Sequence, residues 1–317
     1  MPLARRIDES LENALQHALN SGCEGRGETQ APPLLRRAMH HAVFPGGARM
    51  RPRLVHAVAE SCGRPDVKTA TAAAVSIELL HCASLVHDDL PCFDDAAIRR
   101  GRPSVHRAFG ESVAVLAGDG LIVLAFEVLA KGDIDCVRLP QLLSVMAQGV
   151  GAARGIIAGQ AWESEPSPNL RAYHRAKTGA LFEAATCAGA IAGGGEPEAW
   201  REVGGLLGEA YQIADDLLDA LGGSEQAGKP VGQDMEHGRP NAARELGVRG
   251  AFRRFEQLLT RLVDAVPDCP GRTRMRHELL AQCTRLLPDA QRGSSLLSGA
   301  GMLDMPVALG ESLARPA

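Results

Sequence analysis

The sequence predicts an all-α fold with a substantial core; two observations support the helical class and a third supports the core. Apolar residues recur at three- and four-residue spacing through long segments, as they do on one face of a helix. Alternation with a period of two, rich in Val, Ile and Thr, is not found. Hydrophobic residues make up 45% of the 317 residues, which is enough for a substantial core. We therefore expect one large bundle of roughly ten helices.

Five segments carry the helical periodicity. Several of them are hydrophobic around most of their circumference, which is typical of central helices in a bundle. In chain order they are Val67–Leu90, Val113–Leu129, Leu139–Ile157, Leu170–Ile191 and Val203–Leu221.

Glycine and proline mark the expected breaks between these helices. The stretch from Ser21 to Ala31 is predicted to be a loop. After Pro288 the chain becomes rich in Gly, Ser and other small residues. We expect one domain over residues 1–287 and a partly flexible tail over residues 288–317. The expected breaks are residues 45–47, 63–65, 166–168, 193–195 and 222–223.

Composition excludes several kinds of partner. A formal net charge of -4 creates no strong field for nucleic acid. The eight cysteines stand singly, without a C-x-x-C pair, which indicates reduced thiols in a cytoplasm. The N-terminus is charged where an export signal would be apolar. The segment Val113–Ala130 approaches membrane-span length, but it contains Asp119 and Glu127, so we expect it to be buried inside protein.

A first cluster of aspartates ends the segment that begins at Val67. Asp88 and Asp89 precede Pro91, which interrupts a helix because proline lacks an N–H and crowds the preceding turn. Asp94 must then return from the following loop to lie near Asp88.

A second cluster contains Asp215, Asp216 and Asp219. Asp215 and Asp219 are four residues apart, so they share one face of a helix. Carboxylates this close raise each other's pKa unless a cation lies among them. Hard oxygen ligands that can share a phosphate indicate Mg²⁺. Solvated surface acids are the ordinary alternative, but two clusters that each end an apolar helix favour metal sites.

Basic residues accompany both clusters. The arginine fork binds phosphate oxygens in a bidentate manner, and glycines let backbone amides approach closely. One pair of arginines follows a Gly-Gly turn, a second pair follows the first aspartate cluster, and two lysines lie near the later helices. These residues are Arg49, Arg51, Arg99, Arg100, Lys177 and Lys229.

Together these motifs resemble the trans-isoprenyl diphosphate synthases of the polyprenyl synthetase family, in particular the geranylgeranyl diphosphate synthases of bacterial carotenoid pathways. The resemblance extends from about Leu34 to Leu246. It rests on Gly46 to Pro52, the His81 segment, Asp88 to His106, Gly159-Gln160, Lys177 to Leu181, Gln212 with the Asp215 cluster, and Gly228 to Asp234.

The resemblance implies the isoprenoid synthase fold, in which mostly antiparallel helices surround a central active-site cavity, usually in a homodimer. It also implies a Mg²⁺-dependent condensation of isopentenyl diphosphate with allylic diphosphates (dimethylallyl, geranyl or farnesyl), through ionisation, condensation and elimination. The expected product is geranylgeranyl diphosphate, with twenty carbons.

Residue roles follow from the resemblance, position by position. Asp88 and Asp94 would hold two Mg²⁺ ions and Asp215 a third. The remaining roles are the allylic diphosphate for Arg99, Lys177 and Lys229, isopentenyl diphosphate for Arg51, His81 and Arg100, and the reacting carbons for Thr178 and Gln212.

Two departures from the family pattern stand out. Ala48 occupies a position where the family has a lysine that contacts isopentenyl diphosphate, and we interpret the alanine as a trait of the carotenoid branch. Arg49, Arg51 or Arg53 could supply part of the missing charge. The second departure is Arg239-Pro240-Asn241, where the family has a lysine followed by threonine.

Product length depends on the helix that carries Asp88. The growing tail would run past Ser84, Ala83, Leu80 and Leu79, which would form the floor of the channel. Farnesyl synthases of bacterial type have an aromatic residue at the position of Ala83. A small residue there leaves the channel open and favours a twenty-carbon product, with Leu80 or a facing residue near Ile157 as the lower stop. The alternative is that Ala83 is small only because two helices pack closely.

Other functions fit this sequence less well. Glu78 and His81 have the Glu-x-x-His spacing of di-iron bundles, but a second such pair is not found. A terpene cyclase would replace the Asp215 cluster with a different metal motif. Farnesyl diphosphate synthesis and a noncatalytic regulatory subunit remain alternatives, although both aspartate clusters are complete.

Overall fold

The computed structural model describes residues 2–20, 31–166, 169–221 and 242–287, and these residues are largely helical. Ten of the helices in these ranges have eleven residues or more, so the predicted all-α bundle is confirmed. The first half contains α1 (Leu3–Asn20), α2 (Pro33–Val43), α3 (Met50–Ser61), α4 (Val67–Asp88), β1 (Ile98–Arg99), β2 (Arg102–Pro103), α5 (Val105–Phe109) and α6 (Glu111–Lys131). The second half contains α7 (Arg138–Val150), α8 (Ile156–Trp162), α9 (Leu170–His174), a π-helical turn (Arg175–Gly179), α10 (Ala180–Gly193), α11 (Pro197–Ala220), α12 (Ala242–Ala265) and α13 (Arg272–Leu286).

Helix α10 is the centre of the bundle. Every residue from Ala180 to Gly193 is buried, and the helix contacts α3, α4, α7 and α11. Small residues make this possible. A Cβ atom added to Gly189 would lie 2.6 Å from the Val55 carbonyl oxygen, so the two backbones pack at glycine distance. The helix ends where Gly194 adopts a left-handed conformation, as the predicted break requires.

Helix α4 connects this centre to the first aspartate cluster. Its N-cap, Asp66, accepts hydrogen bonds from the backbone amides of Lys68 and Thr69. Its apolar side chains pack against α3, α6 and α10. The helix ends at Asp88, three residues before Pro91, which agrees with the effect expected of that proline.

Local structure differs from the sequence prediction in three places. The predicted helix over residues 139–157 breaks after Val150, because the chain turns tightly enough for a Cβ on Gly155 to lie 2.3 Å from the Gly151 amide nitrogen. The predicted helix over residues 170–191 contains the π-helical turn. A short antiparallel hairpin, β1 paired with β2, follows the first aspartate cluster.

Helix α6 is more exposed than we expected. Both α4 and α6 are long and apolar enough to span a membrane by length and composition, but 72% of the apolar window of α4 is buried, against 39% for α6. Helix α6 packs one side against α2 and α4. Its other side exposes Leu116 and Val123, at 56% and 65%.

Some predictions fall outside the described residues. These are the loop at residues 21–31 apart from Ala31, most of the break at 166–168, the break at 222–223, Lys229, the segment 239–241 and the tail at 288–317.

Candidate active site

The first aspartate cluster closes on itself as the chain turns at Pro91. The Asp94 amide donates a hydrogen bond of 3.0 Å to the Asp88 carbonyl, which returns Asp94 to the end of α4. Carboxylate oxygens of Asp88, Asp94 and Glu163 all lie within 4.8 Å of one another. Three hard oxygen donors at this separation fit Mg²⁺, which accepts carboxylates and retains several waters.

Glu163 was not identified from the sequence. It caps the C-terminal end of α8, where the Gly159-Gln160 motif lies. The signal that could have found it is an acid placed three residues after Gln160, one helical turn away.

Lys177 lies in the π-helical turn and faces the first cluster. Its ammonium donates to Asp88 at 3.2 Å and to Glu163 at 2.5 Å. The π-helical turn shifts the register of the chain, and such turns occur frequently at functional sites. A cation is therefore held beside the carboxylates that could bind metal.

The next residue of the same turn contacts the second cluster. Thr178 Oγ1 donates to Gln212 Oε1 at 2.8 Å, and Gln212 Nε2 donates to Asp216 at 3.0 Å. Since Gln212 lies on α11 one turn before Asp215, the π-helical turn lies between the two aspartate clusters. The structure thus brings Lys177, Thr178 and Gln212 to one region.

Each cluster begins with two adjacent aspartates, and in each the second one is buried. Asp89 is 2% exposed and binds Arg99, whose Nε donates at 2.9 Å. Asp216 is 1% exposed and accepts from Gln212 and from the Ala242 amide. The first residues, Asp88 and Asp215, are only half-buried. The predicted metal ligands are therefore the more accessible members of the two pairs.

Arg99, which the resemblance assigns to the allylic diphosphate, is paired with an aspartate in this structure. Its guanidinium binds Asp89 and lies 3.9 Å from Asp88, at the edge of the first cluster. Because Arg99 is paired with Asp89, the negative charge of that carboxylate compensates much of the positive charge of the guanidinium.

Arg99 is the last residue of β1, and Arg100 lies in the turn between β1 and β2. Arg100 has a left-handed backbone, with φ of 52°, and its Nε would lie 3.2 Å from a Cβ on Gly47. Arg100 therefore faces the Gly-Gly turn and not the aspartates. Arg99 and Arg100 are adjacent in the sequence, but Arg99 contacts the first aspartate cluster and Arg100 lies beside the Gly-Gly turn.

Arg51 and His81 lie near Arg100. The Arg51 guanidinium carbon is 4.5 Å from the Phe182 ring centroid, a cation–π distance. Burial, followed by the charges of Arg51 and Arg100, lowers the pKa of His81 well below its ordinary value. His81 is therefore neutral at physiological pH, so that its ring adds no further positive charge. The structure gathers the three residues predicted to hold isopentenyl diphosphate.

Arg49 does not supply the charge missing at Ala48, contrary to one of our expectations. It is 5% exposed, and it donates to Glu78 at 2.6 Å and to Asp8 at 3.0 Å. Its left-handed backbone, with φ of 51°, turns it inward, whereas Ala48 is exposed. The same ion pair occupies Glu78, so this carboxylate is not available to a di-iron centre.

An apolar cavity of about 350 Å³ lies beside Asp88. Helix α4 contributes Leu80, Ala83 and Ser84 to its wall. Phe93 of the aspartate loop also lines it, as do Ile122, Val150, Ile156 and Ile157.

All three residues predicted to control product length line this cavity, as does Ile157. Leu79, which the sequence also placed at the floor, is fully buried and lies outside the lining.

Comparison with known proteins identifies relatives of this chain. The family model described as polyprenyl synthetase matches residues 32–272. The geranylgeranyl diphosphate synthase of Cereibacter sphaeroides is 51% identical over 283 residues, which cover 89% of this chain and 97% of that protein. The enzyme of the same name from Rhodobacter capsulatus is 51% identical over 85% of this chain and 92% of its own.

Solved structures agree with these relatives. An FPP/GFPP synthase from Zymomonas mobilis has a TM-score of 0.72 and 28% identity, covering 89% of this chain and 98% of that one. A geranyltransferase from Helicobacter pylori, complexed with magnesium and isoprenyl diphosphate, has a TM-score of 0.72 and 27% identity, covering 90% of this chain and 98% of that one.

Proposed function

The chain belongs to the polyprenyl synthetase family, and we propose that it is a trans-prenyltransferase that makes geranylgeranyl diphosphate. Its substrates are isopentenyl diphosphate and an allylic diphosphate. The observation that carries the assignment of product length is the apolar cavity beside Asp88, whose wall at Ala83 is small.

The residues of the chain divide the work between the two substrates. Lys177, beside Asp88, would hold the allylic diphosphate, and Arg51 with Arg100 would hold isopentenyl diphosphate. Two diphosphates held at fixed positions orient the reacting carbons toward each other. The apolar cavity keeps the allylic tail away from water.

Asp88, Asp94 and Asp215 would hold Mg²⁺, and the proposed number of ions is three. Bound there, Mg²⁺ would neutralise the charge of the diphosphate as it leaves. In the reaction the allylic C–O bond breaks and its electrons stay with the diphosphate. The alkene of isopentenyl diphosphate then forms the new C–C bond. A proton next to the resulting cation is lost, and the departing diphosphate is the proposed acceptor.

We also propose that the protein acts as a homodimer in the cytoplasm. The exposed apolar side of α6, which includes Leu116 and Val123, supports an interface with a second copy. Every cysteine among the described residues is a free thiol, as is usual in a reducing compartment. Carotenoid formation as the use of the product rests on the family resemblance alone.

Product analysis tests the proposed function. The purified protein is incubated with Mg²⁺, isopentenyl diphosphate and one starter at a time: dimethylallyl, geranyl or farnesyl diphosphate. We expect a twenty-carbon product from all three starters. A fifteen-carbon end product, with farnesyl diphosphate left unused, would identify a farnesyl diphosphate synthase. No elongation of any starter would support a noncatalytic subunit.

A further inference from the structure

The Gly159-Gln160 motif has no role in the chemistry described so far, and Glu163 entered it only as one of three neighbouring carboxylates. Among its partners in the described part of the chain, Glu163 accepts hydrogen bonds from Lys177 at 2.5 Å, from the Tyr173 hydroxyl at 2.8 Å and from Gln160 Nε2 at 2.9 Å. The Tyr173 and Gln160 donors are neutral and lie on neighbouring segments of α8 and α9. The carboxylate is therefore held in place independently of its bond to Lys177.

Lys177 is the group that needs such an anchor. A lysine ammonium is a point charge at the end of a flexible stem, and it adopts a defined position only when partners hold it. Asp88 is one partner, at 3.2 Å, but Asp88 is also a predicted metal ligand. A cation on Asp88 would compete with Lys177 for that carboxylate. Glu163 keeps its hydrogen bonds from Gln160 and Tyr173 whether or not a cation binds Asp88.

The backbone beneath Lys177 is fixed by the same motif. A Cβ added to Gly159 would lie 2.5 Å from Lys177 Cα, so α8 packs directly on the π-helical turn. The Tyr173 ring centroid lies 5.9 Å from Lys177 Nζ. Gly159 of α8 thus packs against the base of the lysine, while Glu163 and Tyr173 lie at its tip.

We propose that Glu163 is a positioning residue that aims Lys177 at the allylic diphosphate, and that Gln160 and Tyr173 hold Glu163 for this purpose. This inference rests on the proposed function, because it assigns the ligand of Lys177. The competing role is that of a further metal ligand, since Glu163 lies within 4.8 Å of Asp88 and Asp94.

Three variants separate these roles: Glu163→Gln, Tyr173→Phe and, as a matched control, Glu165→Gln, which changes an exposed acid two residues away. Binding of geranyl thiolodiphosphate, an unreactive allylic analogue, is measured by calorimetry at saturating Mg²⁺. We expect binding to weaken about tenfold in Glu163→Gln and about threefold in Tyr173→Phe, as for loss of one charge-assisted or one supporting hydrogen bond. Glu165→Gln should bind as the wild type does.

Kinetics supply the second readout. We expect Glu163→Gln to raise the KM for geranyl diphosphate, while the KM for isopentenyl diphosphate and the half-saturating Mg²⁺ concentration change less than about twofold. A raised Mg²⁺ requirement with unchanged analogue binding would make Glu163 a metal ligand and overturn the proposal. Unchanged values throughout would overturn it as well.

Folding and function are controlled separately. If Glu163→Gln fails to fold, Tyr173→Phe carries the test, and wild-type binding of the analogue by that variant refutes the positioning role. If the wild type elongates no starter, the proposed function fails. Analogue binding by the variants still reports on Lys177 in that case.

Discussion

The two regions that are proposed to bind the substrates are built in opposite ways. The allylic region combines one lysine with three carboxylates, those of Asp88, Asp94 and Glu163. The second region contains Arg51, Arg100 and His81, and we call it the homoallylic region because it is proposed to bind isopentenyl diphosphate. It combines arginines with a neutral histidine and the aromatic ring of Phe182. Within the described part of the chain, Arg51 Nε has no hydrogen-bond partner.

This difference indicates how each diphosphate would be bound. An excess of carboxylates repels a diphosphate unless metal ions lie between them, whereas arginines bind phosphate oxygens directly. The allylic bond is the one that must ionise, so metal is useful where the leaving group departs. Isopentenyl diphosphate keeps its diphosphate, and arginines alone can hold it.

The largest effect should come from the aspartates that are predicted to bind metal. Asp88→Ala and Asp215→Ala should each lower turnover by about 10² to 10³, because each removes a ligand that acts on the leaving group. Thermal unfolding should stay near that of the wild type, since both side chains are partly exposed, at the end of α4 and in the last two turns of α11. Asp268→Ala, at an exposed acid, is the control. Near wild-type turnover in both variants would disprove the metal-ligand assignment.

Removal of Mg²⁺ tests the comparison directly. Chelation should weaken binding of geranyl thiolodiphosphate by about a hundredfold or more, because the carboxylates are then uncompensated. Binding of isopentenyl diphosphate should change only a few fold. Calorimetry with each ligand alone measures both affinities. Equal losses for the two ligands would show that the homoallylic region also depends on metal.

A substitution in the wall of the cavity should affect only the chain of the allylic substrate, and so the length of the product. Ala83→Tyr should shift the product from geranylgeranyl to farnesyl diphosphate, because a bulky ring would block the channel beside α4. One helical turn is about 5.4 Å, comparable to one isoprene unit. Ala72→Tyr, on the same helix but outside this cavity, is the matched control and should keep the wild-type product. An unchanged product in Ala83→Tyr means that the tail does not pass Ala83.

A smaller effect is expected at the Gly-Gly turn. Ala48→Lys should lower the KM for isopentenyl diphosphate a few fold, since Ala48 is exposed and Arg49 is committed to Glu78. The KM for the allylic substrate should not change. Steady-state kinetics with each substrate varied in turn gives both constants. Loss of activity, or equal changes in both constants, would indicate a pocket rebuilt around alanine.

The smallest effect concerns His81 and pH. Its pKa is lowered in the folded protein, so between that value and about 6.5 the unfolded chain binds a proton that the folded chain does not. The free energy of unfolding should therefore fall as pH drops below 6.5, by about 1 kcal/mol at pH 5.5 from this residue. Urea unfolding at pH 7.5 and 5.5 should show a smaller fall in His81→Leu than in the control His277→Gln, at an exposed histidine. Equal falls would mean that His81 titrates normally.

Much of the fold and part of the site could be predicted because their signals are local. Apolar spacing identified α4, α6, α10 and α11, although not the long helices α1, α12 and α13. Pro91 indicated where α4 would end and the aspartate loop begin. Glu163 was missed because it meets Asp88 only through the packing of α8 on the π-helical turn. The hairpin at β1 and β2 was missed because two-residue strands carry no detectable alternation.

The sequence by itself determined the all-α class, the order of the motifs and the family, since helix periodicity, turn residues and motif spacing are properties of neighbouring residues. Only the tertiary structure decided how two like residues differ in their partners and burial. Arg51 lies against the Phe182 ring whereas Arg49 is buried against Glu78, and Asp88 is more exposed than Asp89. The physical reason is that the direction of a side chain depends on backbone angles at turns and on the charges that distant helices bring beside it.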